Sequence, residues 1–112
     1  MYYLFIVVLE NCPFSENVVK LCKRYNINFK SLKITLNEKE NYKTDEINTF
    51  PQIYLKKNNT KDSLLLGGFS DFNHFINTFH KKYDQKDLIN FQKKYSLWNK
   101  KSILRLIEII NK

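Results

Sequence analysis

The most restrictive stretch of the chain is Tyr2-Tyr3-Leu4-Phe5-Ile6-Val7-Val8-Leu9, which runs into Glu10-Asn11-Cys12-Pro13. Aromatic and β-branched residues fill it without a polar face. That pattern predicts a strand buried on both sides at the centre of a sheet that includes parallel pairing. With the polar-tipped tyrosines left out, its longest apolar stretch, Leu4 to Leu9, is six residues, whereas a membrane span needs about 20. The expectation is a soluble, cytoplasmic protein with no cleavable leader. Asn11 and Cys12 interrupt the run, Pro13 stands where the first residue of a helix is favoured, and Val18, Val19, Leu21 and Cys22 supply an apolar face. The opening unit reads as strand, tight loop, helix.

After a break at Asn26, Ile27, Phe29, Leu32 and Ile34 suggest a second strand of imperfect alternation, and the polar residues 37 to 48 a short helix. Gln52 to Lys57 reads as a third strand, Lys56 to Asp62 as a charged turn, and Ser63 to Leu66 as a fourth strand. Gly67-Gly68 stops that strand before a helix from about Ser70 to Lys82. The order βαβαββα, a parallel unit followed by an antiparallel hairpin and a closing helix, predicts an α/β architecture with a mixed four-stranded sheet flanked by helices. Beyond Tyr83, Leu88, Phe91 and Tyr95 fall at helical spacing, as do Ile103, Leu106, Ile107 and Ile110, with a polar bend near Ser96 or Asn99. These two further helices are expected to pack on the same domain. Leu97, Trp98, Leu104 and Ile109 lie outside the main stripe and leave a homodimer or protein-partner surface as the alternative.

With 112 residues, the chain has the size of one domain, and its 43% hydrophobic content is enough to fill a core without disulfides. The charge is uneven. Residues 81 to 112 hold nine basic and three acidic side chains, which is six of the net +8. The predicted organisation is therefore a main unit over residues 1 to 82 and a basic helical extension over 83 to 112. Lysine-rich helices are usually solvated faces, so no nucleic-acid or membrane partner is expected.

Cys12 and Cys22 are too few for a secreted disulfide framework, and there is no Cys/His quartet for structural zinc, so the metal expectation is none. Cys12 carries the strongest chemical signal because it sits at the end of a buried strand and the mouth of a helix. Unpaired backbone N–H groups and the positive end of the helix dipole favour a thiolate there. Pro13 has no N–H to leave unsatisfied and shapes the first turn, and Ser15 is placed to add a hydroxyl donor. Cys22 lies ten residues along the same helix, roughly 15 Å away, beyond disulfide reach. It is expected in the core. Ser15 occupies the place of the second sulfur of a CxxC centre, so an intramolecular disulfide across that motif cannot close. A monothiol route follows, in which Cys12 keeps a small thiol as an adduct and a second small thiol resolves it.

Three blocks then carry a resemblance: Cys12-Pro13-Phe14-Ser15 after a hydrophobic strand, Thr49-Phe50-Pro51-Gln52-Ile53-Tyr54, and Leu66-Gly67-Gly68-Phe69-Ser70-Asp71 before a helix. In order and spacing over residues 1 to 82 they resemble the glutaredoxins, a family with a thioredoxin-like fold. The resemblance implies glutathione as cosubstrate and reduction of glutathionylated proteins through Cys12. It implies a cis Pro51 against the cysteine, with the backbone of Phe50 pairing with the tripeptide and Thr49 supporting that edge. Gly68 then allows close approach, and the N–H groups of Phe69 and Ser70 receive the γ-glutamyl carboxylate, with Ser70 or Asp71 meeting its ammonium. His74 and His80 are expected to be helix-face residues without a catalytic role.

Some positions depart from the family pattern. Leu9 stands where a lysine is common, Glu10 adds a negative charge, and Phe14 replaces a tyrosine. The tetrad also resembles the amino-terminal domains of chloride intracellular channel proteins and omega-class glutathione transferases, whose large helical second domain exceeds this length. Two alternatives to the oxidoreductase are a glutathione-ligated [2Fe–2S] carrier, disfavoured by the rigid Pro13 where such proteins carry glycine, and a non-enzymatic adaptor using the basic helices.

Overall fold

A computed structural model describes residues 2–80 and 82–111. Strand β1 spans Tyr2–Leu9, helix α1 Pro13–Arg24, β2 Phe29–Ile34, β3 Gln52–Lys57, β4 Ser63–Gly67, and α2 Phe69–Phe79. Helices α3, Gln85–Lys94, and α4, Lys100–Ile110, complete the chain. The sheet order is β2-β1-β3-β4. Parallel β1 and β2 are joined through α1, β3 is antiparallel to β1, and β4 is antiparallel to β3. This mixed four-stranded sheet with flanking helices is a thioredoxin-like, glutaredoxin-type fold with extra C-terminal helices.

The register separates the two faces of the sheet. Leu4 lies opposite Leu55 and Ile6 opposite Ile53. These four residues join one buried cluster with Val18 and Cys22 of α1, Phe72, Phe75, Ile76 and Phe79 of α2, Leu88 and Phe91 of α3, and Ile103, Leu106 and Ile110 of α4. Every α-helix among the described residues therefore contributes to one apolar core. The opposite face differs from the expectation of a strand buried on both sides. Val7 and Ile34 are buried there but stand outside the helical core, while Tyr3 and Phe5 are only half-buried. The physical reason is the connection between β2 and β3. Instead of a full helix over residues 37 to 48, a single 3-10 turn at Lys39–Tyr42 covers only one end of the face. Gln52 pins it, with Nε2 donating to the Tyr42 carbonyl at 2.7 Å. At the other end Lys30 Nζ lies 4.8 Å from the Tyr3 ring centroid and Lys56 Nζ 4.3 Å from that of Phe5. Their alkyl stems shield the rings while the charges stay in water.

The bounds of three elements also move. Ile27 is buried just before β2 rather than within it, its N–H bonded to the Cys22 carbonyl. Strand β4 runs one residue further, to Gly67, past an irregular register at Ile53/Tyr54. Helix α2 begins at Phe69 and ends at Phe79 rather than Lys82. His80 turns to extended backbone, and the Asn111 amide donates to the Phe79 carbonyl at 3.0 Å, closing a helix end that would otherwise continue. Lys81, within the predicted helix, lies outside the described residues.

The C-terminal helices follow the predicted spacing. Asp84 caps α3 by accepting from the Asp87 N–H at 2.9 Å, and Asn99 caps α4 by accepting from Ser102 at 2.8 Å. Trp98 and Ile109, outside the main stripe, are also buried, Trp98 against Phe75 and Phe91 with ring centroids 5.6 and 5.1 Å apart. Leu97 stays 76% exposed and Leu104 38%.

Candidate functional site

The strand pairing brings the three sequence blocks to one end of the sheet. Strand β1 reaches that end at Leu9, β3 enters from it at Gln52 opposite Val7, and β4 arrives at it with Gly67 opposite Ile53. Hence the cysteine loop, the Thr49-Phe50-Pro51 segment and the double glycine neighbour one another although up to 59 positions separate Cys12 from Asp71.

Cys12 is the N-cap of α1, with extended backbone, and is partly exposed; Pro13 is the first helical residue. No side chain caps this helix, so the N–H groups of its first turn are left for the cysteine itself or a ligand. Ser15 is placed differently from expectation. It is 1% exposed, and its Oγ accepts from the Leu9 N–H at 3.0 Å, so the described bond ties the helix to the end of β1 rather than to the sulfur. Asn11, in the left-handed region at φ 55°, turns the chain between the two elements. Glu10 directs Oε1 at the Leu36 N–H, 3.2 Å away, on the side where β2 exits.

Beside this loop opens a groove of about 400 Å³, within the range of small-molecule sites. Thr49, Phe50, Gly68, Phe69, Ser70 and Asp71, all singled out in the sequence, line it, and Phe14 closes one side. The Phe14 and Phe69 rings lie 6.0 Å apart, linking the first and third blocks. Phe14 is 57% exposed, a large ring left at the rim. The Phe50–Pro51 peptide bond is cis, Pro51 is buried, and its carbonyl approaches Gly68. Cys12 and Pro51 are not among the groove's lining residues.

Gly67 and Asp71 shape the far end. Gly67 has φ 118°, and a Cβ at that position would collide with the Asp71 carboxylate, so both backbone and space require glycine. Asp71 Oδ2 accepts from the Gly68 N–H at 2.9 Å. This arrangement puts a carboxylate beside the start of an 11-residue helix, whose first residues, Phe69 and Ser70, line the groove.

The sequence reading did not find Glu46, Ile47, Asn48 and Leu65, which also line the groove. Leu65 comes from β4, opposite Tyr54; the other three are placed by the fold of residues 44 to 47, where the Thr44 Oγ1 accepts from the Ile47 N–H at 3.0 Å and the Thr44 N–H donates to the Ile47 carbonyl at 2.8 Å. Threonine before a short acidic stretch was the available signal for that turn. His80 packs edge-on against Tyr25, with centroids 4.4 Å apart, whereas His74 Nδ1 lies 3.1 Å from the Tyr95 hydroxyl.

Fold and site together define a thioredoxin-like domain with a cysteine at the head of its first helix and a peptide-sized groove beside it. The glutaredoxin family model matches residues 2–59, just over half of the chain, and the chain belongs to the glutaredoxin family. That match contains the cysteine and proline blocks and stops short of the double glycine and the C-terminal helices. A search of curated proteins gives no match. No helix among the described residues is long and apolar enough to cross a membrane.

Proposed function

We propose that this glutaredoxin is a glutathione-dependent monothiol oxidoreductase that reduces protein–glutathione mixed disulfides through Cys12. The observation that carries this reading is the groove: seven residues from two sequence-distant blocks line one cavity at the sheet end where the Cys12 loop lies. The Cys12 thiolate attacks the glutathione sulfur of the mixed disulfide. The client sulfur leaves as a thiolate and takes a proton from water, and the glutathione remains bonded to Cys12. A second glutathione thiolate attacks the same glutathione sulfur, releasing glutathione disulfide and the Cys12 thiolate.

Each element has a part in that cycle. The backbone of Phe50 pairs with the cysteine residue of the bound tripeptide along the groove edge, and Thr49 supports that edge. The N–H groups of Phe69 and Ser70 receive the γ-glutamyl carboxylate, and Asp71 receives the ammonium. Pro13 and Phe14 shape the entrance for the client. With serine at position 15, exchange ends on glutathione rather than on an internal disulfide. Reduction of a glutathionylated peptide with excess glutathione tests the reading. Cys12→Ser is expected to lose at least about a thousandfold in turnover, since a hydroxyl does not replace the thiolate nucleophile. Wild-type turnover no faster than that variant would overturn it.

A further inference from the structure

The sheet face turned away from the helical core has a chemistry of its own. Antiparallel pairing sets Tyr54 opposite Phe5 and Lys56 opposite Tyr3, and parallel pairing sets Lys30 opposite Phe5. Paired residues point to the same side of a sheet, so three rings and two cations form one layer. Tyr3, Phe5 and Tyr54 are each half-buried. None of the four strands contains an aspartate or glutamate, while β2 and β3 each contain two lysines. The Lys30 ammonium lies 4.8 Å from the Tyr3 centroid and that of Lys56 4.3 Å from the Phe5 centroid, each on a flexible stem. Burial first, then the charge of Glu46, raises the ionisation of Tyr54, so its ring stays neutral.

Where the 3-10 turn covers this face, a cavity of about 250 Å³ opens between the turn and the strands. Phe5, Tyr42 and Tyr54 wall it, Asn41 offers a side-chain amide, and Lys56 stands in the same wall. The Tyr54 hydroxyl donates to Gln52 Oε1 at 3.2 Å, and Gln52 Nε2 donates to the Tyr42 carbonyl at 2.7 Å, so this buried amide ties ring and turn together. A fixed aromatic wall beside cations on flexible stems has a matching class of ligand. Unpaired bases stack on such rings whatever their identity, and lysines take the phosphates between them. An acidic peptide would satisfy the lysines but brings nothing planar to the rings, and a duplex keeps its base faces within its own stack. The net charge of +8 adds long-range attraction for a polyanion. The expectation of no nucleic-acid partner rests on the lysine-rich helices; this face is a separate surface. We propose that the open face of the sheet binds single-stranded nucleic acid, with bases on Tyr3, Phe5 and Tyr54 and phosphates at Lys30 and Lys56. The site stands apart from the thiol chemistry and does not depend on it.

The test is fluorescence anisotropy of a labelled oligouridylate of about ten nucleotides with the full chain at about 50 mM salt, and of the matching oligothymidylate in a second arm. Binding of either strand supports the proposal, and the ratio of the two affinities reports whether ribose hydroxyls take part. Phe5→Leu keeps an apolar side chain and removes the ring, and binding should weaken about tenfold. Should that variant fail to fold by circular dichroism, Tyr54→Leu carries the same expectation. Lys30→Gln combined with Lys56→Gln should reduce the slope of log affinity against log salt by about 1.4, the loss of two phosphate contacts. Neutralising Lys93 and Lys101 on α3 and α4 should change affinity by less than about twofold. Reductase turnover should be the same in every variant, which separates this face from the glutathione groove. No binding by wild type at about 10⁻⁴ M protein, the weak limit of ordinary non-specific association, overturns the proposal. So does an equal loss from helical and sheet lysines with Phe5→Leu unaffected, or competition by polyglutamate as effective as that by unlabelled oligouridylate.

Discussion

The two ends of α1 hold the same side chain in opposite circumstances. Cys12 stands at the N-cap, partly exposed, where the chain leaves a buried strand and the helix N–H groups have no side-chain cap. Cys22, on the face shared with Val18, is 0% exposed, and burial pushes its thiol from an ordinary 9.0 up to about 12. The thiol chemistry of the two is identical; backbone position decides which is available. An N-cap residue faces the ends of unpaired donors, whereas a residue on the inner helical stripe faces hydrocarbon.

Alkylation of the native protein should break this comparison most visibly if it is wrong. One thiol is expected to react, at Cys12 by mass spectrometry, and Cys22 at least about a hundredfold more slowly because it must wait for the helix to open. Comparable rates at both sites would mean that the core around Val18 is not closed. A smaller effect concerns stability. Cys22→Ser places a hydroxyl in that hydrocarbon and is expected to cost about 1–3 kcal/mol in urea unfolding, with reductase turnover retained. The pH dependence has a definite sign. Between about pH 9 and 12 the unfolded chain releases the Cys22 proton that the folded chain keeps, so the stabilisation is whole below that window and declines as pH rises through it. Cys22→Ala should flatten the decline in alkaline unfolding curves. The smallest effect sharpens the Cys12 side. Leu9→Lys introduces a cation three residues before Cys12 and should accelerate Cys12 alkylation at pH 6 by about two- to fivefold through thiolate stabilisation; an unchanged rate would show that position 9 faces away from the sulfur.

The sequence made the succession of strands along the chain and most helices legible because each carries a strong local period, as in Tyr2–Leu9 or the 103, 106, 107, 110 spacing of α4. It also placed six groove residues, since Gly-Gly and Phe-Pro mark backbone requirements that few other pairs meet. What it concealed depends on contacts made at long range. The exposed half of the second sheet face follows from a 3-10 turn where a helix was expected, and polar residues 37 to 48 hold no apolar stripe that would distinguish the two. Ser15 reads as a donor near sulfur until the strand end at Leu9 is seen to claim its oxygen. Tyr95 shows nothing locally beyond its place on an α3 stripe. Its meeting with His74 exists only because α2 and α3 share one cluster of rings.

That sharing has a practical meaning for dissecting the molecule. Asn111 seals the last turn of α2, α4 touches β1, and Trp98 lies among Phe75 and Phe91. A chain truncated after residue 82 would therefore not be a smaller version of the same catalyst. It would wet the aromatic faces of Phe75 and Phe79 and strip the helix that carries Asp71 of its support. Whatever the nine cations of residues 81 to 112 contribute is best sought by neutralising exposed lysines one at a time, with the helices left in place.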